Sequence, residues 1–245
     1  MKSELCWICL DKKPLTGEHK FKASDLRNEF GREKMSKLVR DTGIDTLEEI
    51  QGVKSKKAKF KNSICANCNG SVTQKADEAY STFVKSLPES PNTVEDLYEV
   101  FEKADFLNGT SKKCIELYRY FGKLLGCHII ENDLVVPENL RSFVASENDE
   151  VSVYLKLNFD EFARNVANLL AENEGYSGYV GHGGLCVPCN RETHVPQRFV
   201  SSYTLRTVMF EFWHDLKPNY LTENYYPSSA LYLLTQGALK RDGHI

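Results

Sequence analysis

The sequence predicts an α+β chain in two parts, a small cysteine-clasped module followed by a mixed helical and α+β region. Three observations carry this. Two Cys-x-x-Cys pairs lie within the first part, at Cys6–Cys9 and Cys65–Cys68. A stretch with two prolines and three serines or threonines, SLPESPNT (86–93), follows them. Near residue 150 the apolar residues change from helical spacing to strict alternation. The expected boundaries are 1–87 for the module and 92–245 for the remainder.

In the module, SDLRNEF opens a helix and GREKMSKLVRDTGIDTLEEI reads as an insertion. SVTQKADEAYSTFV is a helix with Val72, Ala76, Tyr80 and Phe83 on one face, which leaves Gln74 and Asp77 on a solvated side. Beyond the linker, Asn92 and Glu95 form a capping signature for a helix over 93–107, with Val94, Leu97, Tyr98 and Phe101 on its stripe. Residues 111–125 repeat the pattern with Cys114, Tyr118, Phe121 and Leu125, and VPENLRSFV is a short helix with Pro137 near its first turn. VSVYLKLNF alternates as a strand, DEFARNVANLLAEN is helical, and RFVSSYTLRTVMFEFWHDL supplies one or two strands.

The chain has 245 residues, 41% hydrophobic and 27% charged, which is enough apolar material for a core. It has no apolar run of about eighteen residues. The opening MKSELCWICLDKK also lacks the layout of a secretory signal, so a cytoplasmic location without a membrane partner is expected. In a reducing compartment, eight cysteines point to metal ligation and packing rather than to disulfides.

The net charge of −3 conceals a division. Residues 1–85 carry 17 basic and 12 acidic residues, or +5; the rest carries 31 − 17 = 14 basic and 34 − 12 = 22 acidic, or −8. The basic excess is densest at Lys54, Lys56, Lys57, Lys59 and Lys61, a run without an acid. Such a run suits a nucleic-acid backbone, and equally a solvated hairpin edge. The acidic remainder is expected to meet a protein partner or a second copy of the chain.

Cysteine spacing carries the clearest chemistry. Each Cys-x-x-Cys turn presents two thiolates to one ion, so Cys6, Cys9, Cys65 and Cys68 together form a closed site for structural zinc. In GHGGLCVPCNRETH, the residues His182, Cys186, Cys189 and His194 either bind a second zinc or lie in an exposed loop. Cys114 and Cys127 read as core, and His128 and His214 as structural histidines among apolar neighbours. There is no Gly-rich phosphate loop and no Gly-x-Ser-x-Gly nucleophile elbow.

Between the knuckles stand Glu18-His19 and Asn62, and Asn69 follows the last cysteine. This order, over roughly residues 1–85, resembles the zinc-stapled HNH endonucleases of the His-Me-finger group. The resemblance implies a ββα-metal core and metal-dependent hydrolysis of DNA phosphodiester bonds, in a bacterial defence or mobile-element setting. It implies His19 as general base, Glu18 and Asn69 as ligands of a catalytic Mg²⁺ or Mn²⁺, and Asn62 as the residue shaping the loop that orients the histidine. Lys54, Lys56, Lys57, Lys59 and Lys61 would track the DNA. The 45 residues between His19 and Cys65 exceed the family's usual gap. The alternative is a non-catalytic zinc-binding adaptor with an HNH-like fold that binds nucleic acid or protein.

Overall fold

The computed structural model describes residues 5–34, 38–41, 47–50, 52, 54–88, 93, 96–97, 111–170, 180–190, 193–216 and 233–235. A two-residue strand β1 (Leu15–Thr16) is followed by α1 (Ala23–Lys34), the paired strands β2 (Leu38–Asp41) and β3 (Leu47–Ile50), β4 (Ile64–Cys65) and α2 (Gln74–Lys85). Next come α3 (Lys112–Glu131), α4 (Glu138–Val144), β5 (Tyr154–Phe159), α5 (Glu161–Leu170), β6 (Val180–His182), β7 (Arg198–Leu205), β8 (Val208–Asp215) and β9 (Leu233–Thr235). The described part is thus α+β, with a β1–β4 ribbon, a β2–β3 hairpin inside the insertion, and a five-stranded sheet ordered β6-β7-β8-β5-β9. The helix expected over 93–107 lies almost wholly outside the described residues.

In the large sheet every described pairing is antiparallel except β5 with β9. The alternation read from the sequence is what buries one face: Leu155, Leu157, Phe159, Val208, Phe210 and Phe212 all point inward. β7 and β8 are two strands joined at a two-residue turn, where Leu205 faces Val208 and Arg206 takes φ 58°.

α3 lies against that face and is buried on nearly all sides from Cys114 to Ile129. Ser111 caps it, its hydroxyl accepting from the Cys114 amide at 3.2 Å. The helix continues past 125, because Cys127 and Ile129 are still buried and the chain leaves only at Asp133, with φ 59°. Phe121 is the hinge of the aromatic core, its ring 5.1 Å from Phe212 and 5.8 Å from Phe210. On the opposite side α2 packs along α3, with Tyr80 stacked on Tyr120 at 3.9 Å. Two glycines one turn apart admit close neighbours here. A Cβ on Gly122 would lie 2.9 Å from Val144 of α4, and one on Gly126 would lie 2.4 Å from the Trp7 ring. One continuous set of buried residues therefore runs from the cysteine knuckles through α2 and α3 to the sheet.

His128 and His214 are buried, as expected. The His128 ring lies 2.9 Å from Ser201 Oγ through Nδ1, and its centroid is 4.8 Å from that of His182 and 5.6 Å from that of Phe60. Burial, and then the nearby Lys20 cation, pull the His128 pKa down to about 4. The folded state thus binds this proton less readily than the unfolded chain. The resulting stability is complete above pH 6.5 and is lost as pH falls from there toward 4, roughly 3 kcal/mol in all. Urea unfolding of wild type and His128→Gln at several pH values between 4.5 and 7.5 checks this. The variant should lose pH dependence of about 1.4 kcal/mol per unit below pH 6; parallel curves would contradict it.

Candidate metal centre

The first knuckle is a tight turn. The Leu10 amide donates to Cys6 O at 2.8 Å, and Leu10 takes φ 60°. The second begins at the end of β4 and runs into a π-helical turn, Cys68–Val72, that the sequence did not announce. β1 and β4 join the two: Leu15 pairs with Cys65 and Thr16 with Ile64. The result brings one thiol from each of Cys6, Cys9, Cys65 and Cys68 within 4.8 Å of the others. Among the described residues this is the one group of three or more His, Cys, Asp or Glu side chains able to hold a metal ion.

Its electrostatics ask for a cation. Burial raises the Cys68 pKa, and the Cys65 thiol beside it pushes it further. Burial also opposes ionisation of Cys65, but the backbone N–H of Cys68 and the neighbouring thiols draw it down to about 7. One thiolate forms readily at the expense of the next, and four coexist only around a positive ion.

The residues proposed for catalysis lie on the ribbon and beside the second knuckle. Residues 16–20 run antiparallel to 58–63: the amide of Phe60 donates to Glu18 O at 2.9 Å, that of Lys20 to Ala58 O at 2.9 Å, and His19 bridges Lys59. Around the His19–Lys59 bridge the backbone is extended, so successive side chains alternate in direction. Glu18 turns inward to Lys123 of α3, Oε2 to Nζ 3.4 Å. The same ammonium contacts both carboxylate oxygens of Asp77 at 3.0 Å. Burial disfavours the charge on Lys123, yet the pull of Glu18 and Asp77 more than offsets it and raises the pKa above the ordinary lysine value. The Asn69 amide donates to Thr16 Oγ1 at 3.3 Å. Asn62 is exposed at a bend that interrupts the 58–63 segment just before β4.

Lys56 and Lys57 are exposed on a 3₁₀ turn, Lys56–Ala58, and Lys54 is exposed in the turn just before it, while Ala58 and Phe60 between the lysines are buried. The run thus begins in turns and continues, at Lys59, into the segment paired with residues 18–20. Lys59 is half-buried, and Lys61 is ion-paired with Asp133 at 2.5 Å.

Asp77 corrects the sequence expectation of a solvated side chain. Besides Lys123, its backbone carbonyl accepts from Lys22 Nζ, which also donates to Ser81 Oγ at 2.7 Å. Beside them Asp25 is buried and accepts from the Tyr80 and Tyr203 hydroxyls at 2.8 and 3.1 Å. Burial raises the Asp25 pKa against the lowering effect of those bonds. The signal for this cluster was present in sequence as a lysine, Lys123, inside the otherwise uncharged run YFGKLLGC (120–127).

The second candidate zinc set does not assemble: His182, Cys186, Cys189 and His194 form no group close enough to share an ion. Cys186 bridges Val200 and Cys189 bridges Pro196, so this Cys-x-x-Cys lies along an extended ribbon. Its two α-carbons are then about 10 Å apart, whereas a knuckle must turn. Both thiols are exposed, and His182 instead packs by its ring on Phe60 at 5.2 Å.

No family model, curated protein or solved structure matches this chain. Among the described residues no helix is long and apolar enough to cross a membrane.

Removing the Lys123 charge leaves two carboxylates facing each other below the surface. Lys123→Met should cost about 3–5 kcal/mol in urea unfolding, and adding Glu18→Gln and Asp77→Asn should recover part of that loss. Full stability in the single variant would show that the cluster is not a coupled unit.

Proposed function

We propose that this chain is a zinc-stapled binding protein, and that its N-terminal part is an adaptor rather than a nuclease. The observation that carries the reading is the engagement of Glu18. The carboxylate that a catalytic divalent ion would need is held with Asp77 around the buried Lys123 ammonium. The Lys123 ammonium already occupies the place between the two carboxylates, and its charge repels a divalent ion brought to the same place. The four thiolates suit zinc, which accepts a tetrahedral sulfur set and closes it without an open position for substrate. Such an ion is structural and supplies folding free energy.

The partner that the surface favours is a nucleic-acid backbone. Lys54, Lys56 and Lys57 project from adjoining turns that Ala58 and Phe60 anchor to the core. Three lysines on an anchored stretch attract phosphates without reading sequence, with an affinity that falls as salt rises.

A second reading, the HNH-type DNA endonuclease, keeps one observation in its favour: the order of ribbon, knuckle and helix, with His19 on the ribbon and Asn69 leading into α2. For that activity Glu18 must leave Lys123 to join Asn69 at Mg²⁺ or Mn²⁺, with His19 activating water and Asn62 shaping its loop.

Two assays separate the readings. In fluorescence anisotropy with DNA and RNA duplexes, the Lys54→Glu/Lys56→Glu/Lys57→Glu variant should bind at least about tenfold more weakly than wild type, with a shallower salt dependence. In a plasmid-nicking assay with Mg²⁺ or Mn²⁺, wild type and His19→Ala should both leave the plasmid intact. Nicking by wild type that His19→Ala abolishes would establish the nuclease instead.

A further inference from the structure

The residues between the metal ligands are in contact with the helical region at three points. Trp7, between Cys6 and Cys9, is 5% exposed, and its ring packs against Gly126 of α3, where a Cβ would come within 2.4 Å of Cη2 and 2.5 Å of Cζ2. The next carbonyl, Ile8 O, accepts from Arg141 Nη1 of α4 at 2.9 Å. Arg141 is itself held by Glu138 and Glu147 through its Nη2 at 2.6 and 2.5 Å. Ser63, whose carbonyl accepts from the Trp7 amide at 3.1 Å, places its hydroxyl 3.7 Å from Cys127 Sγ.

The turn that presents Trp7 and Ile8 spans only Cys6 to Cys9. Cys6, Trp7 and Ile8 of this turn are all buried, and two thiolates reaching one ion would fix the turn that presents them. Gly126 leaves no room for adjustment: the ring either lies on the bare helix backbone or leaves it.

We propose that the four-cysteine site is a metal-responsive clasp on the helical region. With the ion bound, Trp7 is wedged on Gly126 and Ile8 O engages Arg141, so α3 and α4 are locked against the ribbon. When the ion leaves, the turn relaxes, the wedge withdraws, and α3 and α4 loosen while the β7–β8 hairpin keeps its own ladder. The signal is the availability of a thiophilic divalent cation, and the response is the packing of the helices beyond the linker. This rests on the zinc reading above. Linkage makes it reciprocal: whatever disturbs the wedge weakens the ion.

Zinc is withdrawn from the full chain with a chelator while amide hydrogen exchange is followed. Protection across Lys112–Glu131 and Glu138–Val144 should fall about tenfold or more, with β7–β8 little changed. Unchanged helices, or loss of protection everywhere at once, overturns the clasp. In the reverse direction, zinc affinity is measured by competition with a chromophoric chelator for Gly126→Ala and, independently, for Arg141→Met. Each should bind zinc about fivefold or more weakly than wild type; wild-type affinity in both overturns the proposal. A wild-type chain that takes up no zinc at all removes the zinc reading itself, which distinguishes that failure from failure of the clasp alone.

Discussion

Burying an ammonium group is costly, and much of this structure is arranged around doing so once, at Lys123. An isolated charge transferred from water to a protein interior carries a penalty of several kcal/mol, which only close counter-charges offset. Lys123 sits on the helix that the sheet, α2, α4 and the first knuckle all cover, so water cannot serve it. Glu18 must therefore come from the ribbon and Asp77 from α2, and both elements are held to α3 at one depth and one rotation. The position of the ribbon then decides where the knuckles meet.

Around that ion pair the polar interior extends in an ordered way. Lys22 lies over the rings of Tyr80 and Tyr120, 5.3 and 5.6 Å from their centroids, and Asp25 collects hydroxyls from α2 and β7. These groups connect the N-terminal residues to the far sheet by directional bonds, where apolar contacts alone would permit sliding. The four thiols do a different task at the edge of the same core. They close the chain between Cys6 and Cys68, across an insertion whose own strands pair only with each other among the described residues.

Much of the secondary structure was legible because it depends on local pattern. The alternation of VSVYLKLNF, the apolar stripe of residues 111–125, and the proline entry to VPENLRSFV each recur in the fold. The metal ligands were legible for the same reason, since a Cys-x-x-Cys turn is a local device. The same spacing misleads at Cys186 and Cys189, where pairing with Val200 and Pro196 draws the segment out straight. Asp77 misled in the other direction. One helical position off the apolar stripe looks solvated until a second helix brings a lysine to it.

Glu18 and His19 show where sequence reading stops. The resemblance implied joint action of the pair, but which group Glu18 meets is settled 105 residues further along the chain, at Lys123. By itself the sequence determined several of the helices and strands and the four-cysteine set, because turns and apolar periods act over a few residues. Only the tertiary structure decided that Glu18 and Asp77 are counter-charges and that Trp7 rests on Gly126, because burial and charge pairing depend on which distant surfaces meet.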